Sequence, residues 1–130
     1  MPGPARAGAL IYAKDLERVS HFYQTLLSMR LLSADSEHHV IESADIQLII
    51  HAIPPHIAAT FEIANPPEPR AEQAIKLFFT VPSLANAAAV ARSLGGSLFG
   101  QEYAGPGFKV RNGHDPEGNI LQVREDAPSQ

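Results

Sequence analysis

Hydrophobic and polar positions in the first fifty residues follow a pattern that predicts one strand, one helix and three more strands. The apolar run Ala9–Ala13 is short and ends before two charged residues, as in a strand buried on both faces. Asp15 is suited to cap a helix, because its carboxylate can accept a hydrogen bond from a free N–H group. Apolar residues then recur every three or four positions in one stripe: Leu16, Val19, Phe22, Tyr23, Leu26 and Leu27. Three further apolar runs, at 29–32, 39–41 and 46–51, predict short strands.

The same order of elements recurs after residues 53–74, a proline-rich segment that predicts a connector. A strand is expected at 75–81 and an alanine-rich helix at 84–94. The pair Gly95-Gly96 then indicates a helix stop of the left-handed kind. Three more strands are predicted at 97–103, 108–111 and 119–124.

The two halves align when the second is shifted by 68 residues, so that Leu10 matches Phe78. Two copies of one strand, one helix and three strands predict an α+β fold. We place the βαβββ modules at residues 8–52 and 75–125, with the connector between them. We expect two curved mixed sheets whose concave faces meet around a cleft, with the helices covering the outer faces.

Composition and charge narrow the classes of partner. Lys and Arg number 10 and Asp and Glu number 14, so the net charge is −4, and no basic face suited to nucleic acid is visible. No apolar stretch approaches the roughly 20 residues that span a bilayer. The chain has no cysteine, which removes thiol nucleophiles and disulfide scaffolds. We therefore expect a soluble, cytoplasmic protein with neither a nucleic-acid nor a membrane partner.

Two motifs occupy the entrance to the first helix and the last turn of the chain. Residues 13–27 read AKDL and then SHFYQTLL, and residues 115–122 read DPEGNILQ. These segments resemble the D-L-x-x-S-x-x-F-Y-x-x-x-L-G and D-P-x-G-N patterns of the vicinal oxygen chelate superfamily, which includes glyoxalase I, bleomycin-resistance proteins, fosfomycin-resistance enzymes and extradiol dioxygenases. The resemblance covers about residues 8–125 and implies the same two-module fold. Ser28 stands where the family usually has glycine.

The resemblance also implies four inward-facing positions that carry His, Glu or Gln in the metal-binding members. In this sequence they fall on Gly8, Ile49, Lys76 and Gln122. Only Gln122 offers an ordinary ligand atom, because glycine and isoleucine have none and a lysine ammonium has donors but no acceptor. His51 faces the same way as Ile49, but one His and one Gln are too few for zinc or iron. We therefore predict no metal and no other cofactor.

Strand alternation assigns the remaining side chains of the inward face. The alternate residues that face the other way are almost wholly apolar. A shift of the strands by one residue would therefore bury Lys76, Gln122 and Arg124 beneath a helix. The inward surface mixes apolar side chains with a few polar ones, as small-molecule pockets do. The residues predicted to bind a ligand are Tyr12, Gln47, His51, Lys76, Phe78, Gln122 and Arg124.

Lys76 and Arg124 would favour an anionic ligand. The alternative is that they extend into water or pair with a carboxylate: Glu42, Glu102 or Glu125. No carboxylate is predicted beside Tyr12 or His51, so no catalytic residue is assigned.

Three functions remain open, and the sequence favours the first. It is the binding or sequestration of a small organic molecule by a metal-free member of the superfamily. The second is a metal-dependent lyase or dioxygenase of the glyoxalase type, with ligands at other positions. The third is a structural or regulatory module with a vestigial pocket. We also expect a homodimer.

Overall fold

A computed structural model describes residues 5–126, and the chain divides into two units between Glu62 and Ile63. This division falls inside the predicted connector. Each unit contains one four-stranded mixed sheet and one long helix. The prediction of an α+β fold made of two βαβββ modules is therefore confirmed. Across residues 5–126, none of the helices combines the length and the apolar character needed to cross a bilayer.

The first module follows the predicted order of elements and adds one turn of helix after them. The elements are β1 (Gly8–Ala13), α1 (Leu16–Leu26), β2 (Arg30–Ala34), β3 (His38–Glu42), β4 (Gln47–Ala52) and α2 (Pro55–Ala58). In the sheet the strands lie in the order β1-β4-β3-β2, with β1 and β4 parallel and the other pairs antiparallel. The short helix α2 was not predicted, and it has a proline at its first position, where the missing N–H group costs nothing.

The second module repeats this topology. The elements are β5 (Leu77–Thr80), α3 (Leu84–Ser93), β6 (Ser97–Gly105), β7 (Phe108–His114) and β8 (Ile120–Asp126). In this sheet the strands lie in the order β5-β8-β7-β6, again with only the first pair parallel. Each long helix begins at a capping side chain: Asp15 accepts from the Arg18 N–H and Ser83 from the Asn86 N–H, both at 3.1 Å.

Each core lies between a helix and one face of its own sheet. In the first module, Val19 and Phe22 of α1 are buried with Leu48 and Ile50 of β4. In the second, the small side chains of α3 are buried with alternate residues of β8: Ala87, Ala91, Leu121 and Val123. Burial of a large apolar side chain stabilises the fold by about 1.5–3 kcal/mol, so these positions fix which face of each strand points away from the helix.

Strand β5 begins two residues later than predicted, at Leu77 rather than Ile75. The cause is the side chain of Gln73, whose amide takes the place of a strand neighbour beside β8. Its Oε1 accepts from the Ile120 N–H at 2.7 Å, and its Nε2 donates to the Ile120 carbonyl at 2.8 Å. Lys76 therefore lies just before the strand, not within it.

The D-P-E-G-N segment forms a buried turn between β7 and β8. The carboxylate of Asp115 accepts from the N–H groups of Glu117 and Asn119, at 2.9 and 3.1 Å. Gly118 has a φ of +86°, and its carbonyl accepts from the Arg70 N–H at 2.8 Å. The end of the connector thus packs on this turn, and the motif that carries the family resemblance has a structural role.

Candidate functional site

Each sheet has one face that no helix of residues 5–126 covers, and the predicted ligand-binding residues lie on these two faces. We call them the first open face, made by alternate residues of β1, β4 and β3, and the second open face, made by alternate residues of β5, β8 and β7. Tyr12 is 58% exposed on the first and Phe78 is 56% exposed on the second. Aromatic side chains with this exposure stabilise the module core little, which leaves them available for contact with a ligand.

On the first open face, Tyr12, His51 and His38 lie side by side on three neighbouring strands. The strand register pairs Tyr12 with His51 and His51 with His38. The ring centroids of Tyr12 and His51 are 5.2 Å apart, and those of His51 and His38 are 4.3 Å apart. Gln47, at the other end of β4, donates from Nε2 to Glu42 Oε1 at 3.3 Å. The structure therefore brings Tyr12 and His51 together and separates Gln47 from them along the strand.

Asp35 lies beside His38, a neighbour that the sequence did not reveal. Its carboxylate oxygen Oδ1 is 3.5 Å from His38 Nδ1. The same oxygen accepts from the backbone N–H groups of Glu37 and His38, at 2.8 Å each. These N–H groups hold the pKa of the Asp35 carboxyl below its usual value. An ionised carboxylate is therefore available to the imidazole of His38 across the neutral pH range.

On the second open face, the guanidinium of Arg124 lies between two phenyl rings. Its Cζ atom is 3.8 Å from the ring centroid of Phe78 and 4.3 Å from that of Phe108. Each cation–π contact is worth about 0.5–2 kcal/mol, so the two rings can hold the guanidinium without help from a carboxylate. The Nε atom of Arg124 is buried with no hydrogen-bond partner among residues 5–126.

Lys76 and Gln122 lie near Arg124 and its two phenyl rings, one as a second cation and the other as an amide. Gln122 is opposite Phe78 on one side and Asn112 on the other. Lys76 is exposed, and its Nζ donates to Asn112 Oδ1 at 3.3 Å. The second open face thus combines two cationic groups with two side-chain amides and two phenyl rings, a set suited to an organic anion.

Two of the three carboxylates that the sequence offered as partners for these cations, Glu42 and Glu125, contact other groups. Glu125 Oε2 lies 3.2 Å from Lys109 Nζ, and Glu42 Oε2 lies 3.8 Å from Arg30. The N–H of Leu84 also donates to Glu125, and with Lys109 it lowers the pKa of that carboxyl. Within residues 5–126, neither Lys76 nor Arg124 has a carboxylate within ion-pair distance.

The four positions that the family resemblance assigns to a metal do not supply a ligand set. Gly8 is the first residue of β1, and Ile49 pairs with Leu10 in the middle of the first open face. The Lys76 nitrogen, as an ammonium, has no lone pair to offer, and it donates to Asn112. Gln122 remains as the single donor. No group of three or more His, Asp or Glu residues suited to a metal ion occurs within the described part of the chain.

Phe108, Asn112 and His38 contribute to the open faces and were not among the predicted ligand-binding residues. For His38 a signal existed, because His39 is adjacent to it and must point the other way; His39 Nδ1 lies 2.8 Å from Ser20 Oγ of α1. For Phe108 and Asn112 the signal was hidden, because β7 was predicted to end at Arg111 and its register with β8 was unknown.

A separate depression of about 550 Å³ lies beside the start of α1. Its lining residues include none of the predicted ligand-binding residues: Lys14, Asp15, Leu16, Glu17, Asp35 and Ser36. Its lining combines charges of both signs with the side chain of Leu16.

Comparison with known proteins agrees with the fold described above. A family model for the glyoxalase-like domain matches residues 9–124. No sequence of a curated protein matches the chain.

Similar solved structures share the fold at low sequence identity. A glyoxalase/bleomycin resistance protein/dioxygenase family enzyme from Burkholderia phytofirmans PsJN has a TM-score of 0.70 and 16% identity, over 93% of this chain and 98% of that chain. A glyoxalase/bleomycin resistance protein from Albidiferax ferrireducens T118 has a TM-score of 0.65 and 17% identity, over 93% and 98%. The fosfomycin resistance protein FosX from Mesorhizobium loti has a TM-score of 0.64 and 15% identity, over 98% and 95%.

Proposed function

The chain belongs to the glyoxalase-like domain family, and from this premise we propose that it binds a small organic anion on its open faces, without a metal ion at the four family positions. The resemblance to the vicinal oxygen chelate superfamily, predicted from two motifs, is thereby confirmed. The ligand and its charge are the proposal.

The observation that carries the proposal is Arg124 stacked between Phe78 and Phe108 with no carboxylate partner among residues 5–126. The chain has a net charge of −4, so an unpaired guanidinium is not explained by a shortage of acidic residues. A planar guanidinium presents N–H groups in a fork that matches a carboxylate or phosphate, and aromatic walls exclude water around it. An organic anion with an apolar body would satisfy both features.

The other predicted residues have supporting parts in this proposal. Lys76 adds a second positive charge, and Gln122 adds an amide that can donate or accept. Tyr12, Gln47 and His51, on the first open face, remain ligand-binding residues predicted from the sequence. The cleft between the modules and the joint use of both faces stay predictions from the sequence.

Independence from metal rests on the donor set, because a dication near Lys76 would meet like-charge repulsion with only Gln122 to offset it. Treatment with a chelator should leave anion binding unchanged. If chelation abolishes an activity that added metal restores, the ligands lie at other positions and the protein is a metal-dependent lyase or dioxygenase. His51 and Gln122 would then be the first residues to substitute.

The experiment is a thermal-shift screen against small carboxylates, phosphates and phosphonates, with neutral analogues of each. The panel includes fosfomycin and bleomycin, because several of the similar structures are described as resistance proteins for these compounds. An anion at 100 times its Kd should stabilise the protein by about 2.7 kcal/mol. Replacing Arg124 with Met should weaken a binding anion roughly 10- to 100-fold, since hydrogen bonds to charged groups contribute about 1.5–3 kcal/mol.

Lys109→Met is the matched control, because it removes the same charge from the same sheet but from the face on which Glu125 lies. Anion binding that survives Arg124→Met, or that falls equally in Lys109→Met, would contradict a specific role of Arg124. Stabilisation by neutral analogues alone would show that the ligand is not an anion.

The predictions of a homodimer and of a cytoplasmic location belong to the same proposal. Light scattering that gives the mass of a single 14.0 kDa chain under dilute native conditions would contradict the dimer. The proposal includes no nucleic-acid or membrane partner.

A further inference from the structure

His38 and His51 form a cross-strand pair that the proposed anion site does not explain. They lie directly opposite each other on β3 and β4, and their ring centroids are 4.3 Å apart at an interplanar angle of 70°. Both side chains are half-buried on the first open face. Two rings held this close by a strand register lose little further freedom when one ion binds both.

In each imidazole the Nδ1 atom lies beside an oxygen that can accept a hydrogen bond from it. His51 Nδ1 is 2.7 Å from the Ala52 carbonyl oxygen, and His38 Nδ1 is 3.5 Å from the Asp35 carboxylate. Because these oxygens only accept, they favour the neutral tautomer with the proton on Nδ1 in each ring. In that tautomer both Nε2 atoms keep a lone pair. Metal-binding histidines typically have this arrangement, with the second nitrogen donating to a carbonyl or a carboxylate.

We propose that His38 and His51 bind a first-row divalent transition-metal ion through their two Nε2 atoms, with Cu²⁺ bound more tightly than Ni²⁺ or Zn²⁺. The ring nitrogen is a ligand that these ions favour, and Cu²⁺ leads them in affinity for a given nitrogen site. The site shares no residue with the four family positions, and it does not depend on the proposed anion binding. The remaining coordination positions are open to water or to a small ligand.

The observed ring separation is close to what the ion requires. With metal–nitrogen bonds of about 2.0–2.1 Å and the ring centre about 1.1 Å beyond the nitrogen, two imidazoles at 90–109° have centroids about 4.5–5 Å apart. The observed centroid separation of 4.3 Å is within about 1 Å of that range. Larger ions with oxygen preference, such as Ca²⁺ and Mg²⁺, find no carboxylate in this pair and are not expected to bind.

Two neighbouring groups act on this pair. The carboxylate of Asp35, 3.5 Å from His38 Nδ1, favours the His38 tautomer that leaves Nε2 as the metal ligand. Tyr12 lies on the other side of His51, with ring centroids 5.2 Å apart, and brings a hydroxyl to the same level of the sheet. The only ionisable side chains at this level of β1, β4 and β3 are Tyr12, His51 and His38 themselves.

The test is a titration of the full chain at neutral pH with Cu²⁺, and separately with Zn²⁺, in the absence of any anion from the screen. The variants His38→Phe and His51→Phe keep an aromatic ring at each position and remove its nitrogens. Each should lower Cu²⁺ affinity roughly 100-fold, because loss of one ligand removes the intramolecular second binding step. His21→Phe is the matched control, since His21 is exposed on α1; it should leave the affinity unchanged.

Equal affinity of the wild type and the two strand variants would overturn the proposal, as would an equal loss in His21→Phe. A second measurement does not depend on the variants folding. In the wild-type protein, Zn²⁺ should shift the ¹⁵N resonances of Nε2 in His38 and His51 and leave their Nδ1 resonances protonated. If these Nε2 resonances do not move, the site does not exist, whatever happens to anion binding through Arg124.

Discussion

The two modules share one topology, but their open faces carry different chemistry at equivalent positions. In one row of residues that pair across neighbouring strands, the first sheet has two imidazoles and a phenol, while the second has a guanidinium. These positions are Tyr12, His51 and His38 in the first sheet, and Thr80, Arg124 and Val110 in the second. In the next row on the same face, the first sheet has only apolar side chains, whereas the second has two amides and a phenyl ring. These are Leu10, Ile49 and Val40 against Phe78, Gln122 and Asn112.

This contrast separates two demands on the sequence. The residues that face the helix form the core, and at the centre of each sheet they are apolar, as Leu48 and Ile50 are in the first module and Leu121 and Val123 in the second. The residues of the open faces have no such constraint, so they can include two neighbouring histidines in one module and an arginine between two phenyl rings in the other. The four predictions that follow are ordered from the largest expected effect to the smallest.

The first prediction concerns the turn before the last strand of each sheet, where the two modules differ. In the first module the turn is closed by its own Ser43, whose N–H donates to Ile46. In the second, residues 68–70 pack against Gly118, and a Cβ at Gly118 would lie 2.2 Å from the Glu68 carbonyl oxygen. Gly118→Ala should therefore destabilise the protein by about 3 kcal/mol, measured by urea denaturation.

Gly107→Ala is the control for that variant. Gly107 also has a positive φ, of +79°, but a Cβ there meets nothing within 4 Å. Gly107→Ala should lower the free energy of unfolding by about 1 kcal/mol, which is the cost of backbone strain without a steric clash. Equal losses in the two variants would mean that packing of the connector on the turn contributes nothing to stability.

The second prediction tests the positive charge of the second open face. Lys76→Met should keep the fold, because Lys76 is exposed and lies outside β5. It should weaken an anion found in the screen by about 1.5–3 kcal/mol, the value of a charge-assisted hydrogen bond. Affinity would be measured by calorimetry. If the variant binds every anion as well as the parent does, Lys76 is only a solvated side chain beside Asn112.

The third prediction compares the ends of the two long helices. Each ends with the same hydrogen bond, from Met29 N–H to Gln24 in α1 and from Gly96 N–H to Ala91 in α3. The residue with positive φ is Ser28, at +52°, in the first module and Gly95, at +94°, in the second. Because a side chain in this region is strained, Ser28→Gly should stabilise the protein by about 1 kcal/mol.

Thermal unfolding would measure this effect as a rise in Tm of about 3 °C. The reciprocal variant, Gly95→Ser, should lower Tm by a similar amount. A Tm that does not rise in Ser28→Gly would indicate that the serine side chain compensates for its backbone strain.

The smallest effect concerns the start of α3. Glu125 accepts from the Leu84 N–H at 2.8 Å, whereas the equivalent strand position of the first module is Ala52. The Leu84 N–H, followed by Lys109, lowers the pKa of Glu125 from its ordinary value of 4.5. A lowered pKa means that the ionised carboxylate stabilises the fold above that value, and that this stabilisation is lost as pH falls through the lowered pKa.

Glu125→Gln keeps the acceptor oxygen and removes the charge. The variant should be slightly less stable than the wild type at pH 7, and the difference should shrink as the pH falls below about 4.5. Urea denaturation at several pH values would measure it. A stability difference that stays constant from pH 7 to pH 3 would contradict a role for the charge.

The sequence determined the fold and the direction of most side chains. A helix stripe such as Val19 and Phe22, and strand runs such as Leu48 and Ile50, are local patterns whose period sets the buried face. The side chains of Tyr12, Phe78 and Arg124 could therefore be assigned to the opposite face before any contact was known. Two local motifs were enough to identify the family. One of them, the D-P-E-G-N turn, is held by short-range hydrogen bonds of Asp115, so the sequence alone encodes it.

Contacts between strands were decided only by the tertiary structure. Phe108 reaches Arg124 because β7 and β8 pair in a particular register, and no local pattern encodes that register across a turn. The exclusion of Lys76 from β5 depends on Gln73, whose amide bonds to Ile120, 47 residues away. His38 contacts His51 because β3 and β4 also pair in a particular register. Period determines which face a residue occupies, but register determines its neighbours, and register depends on the packing of the whole sheet.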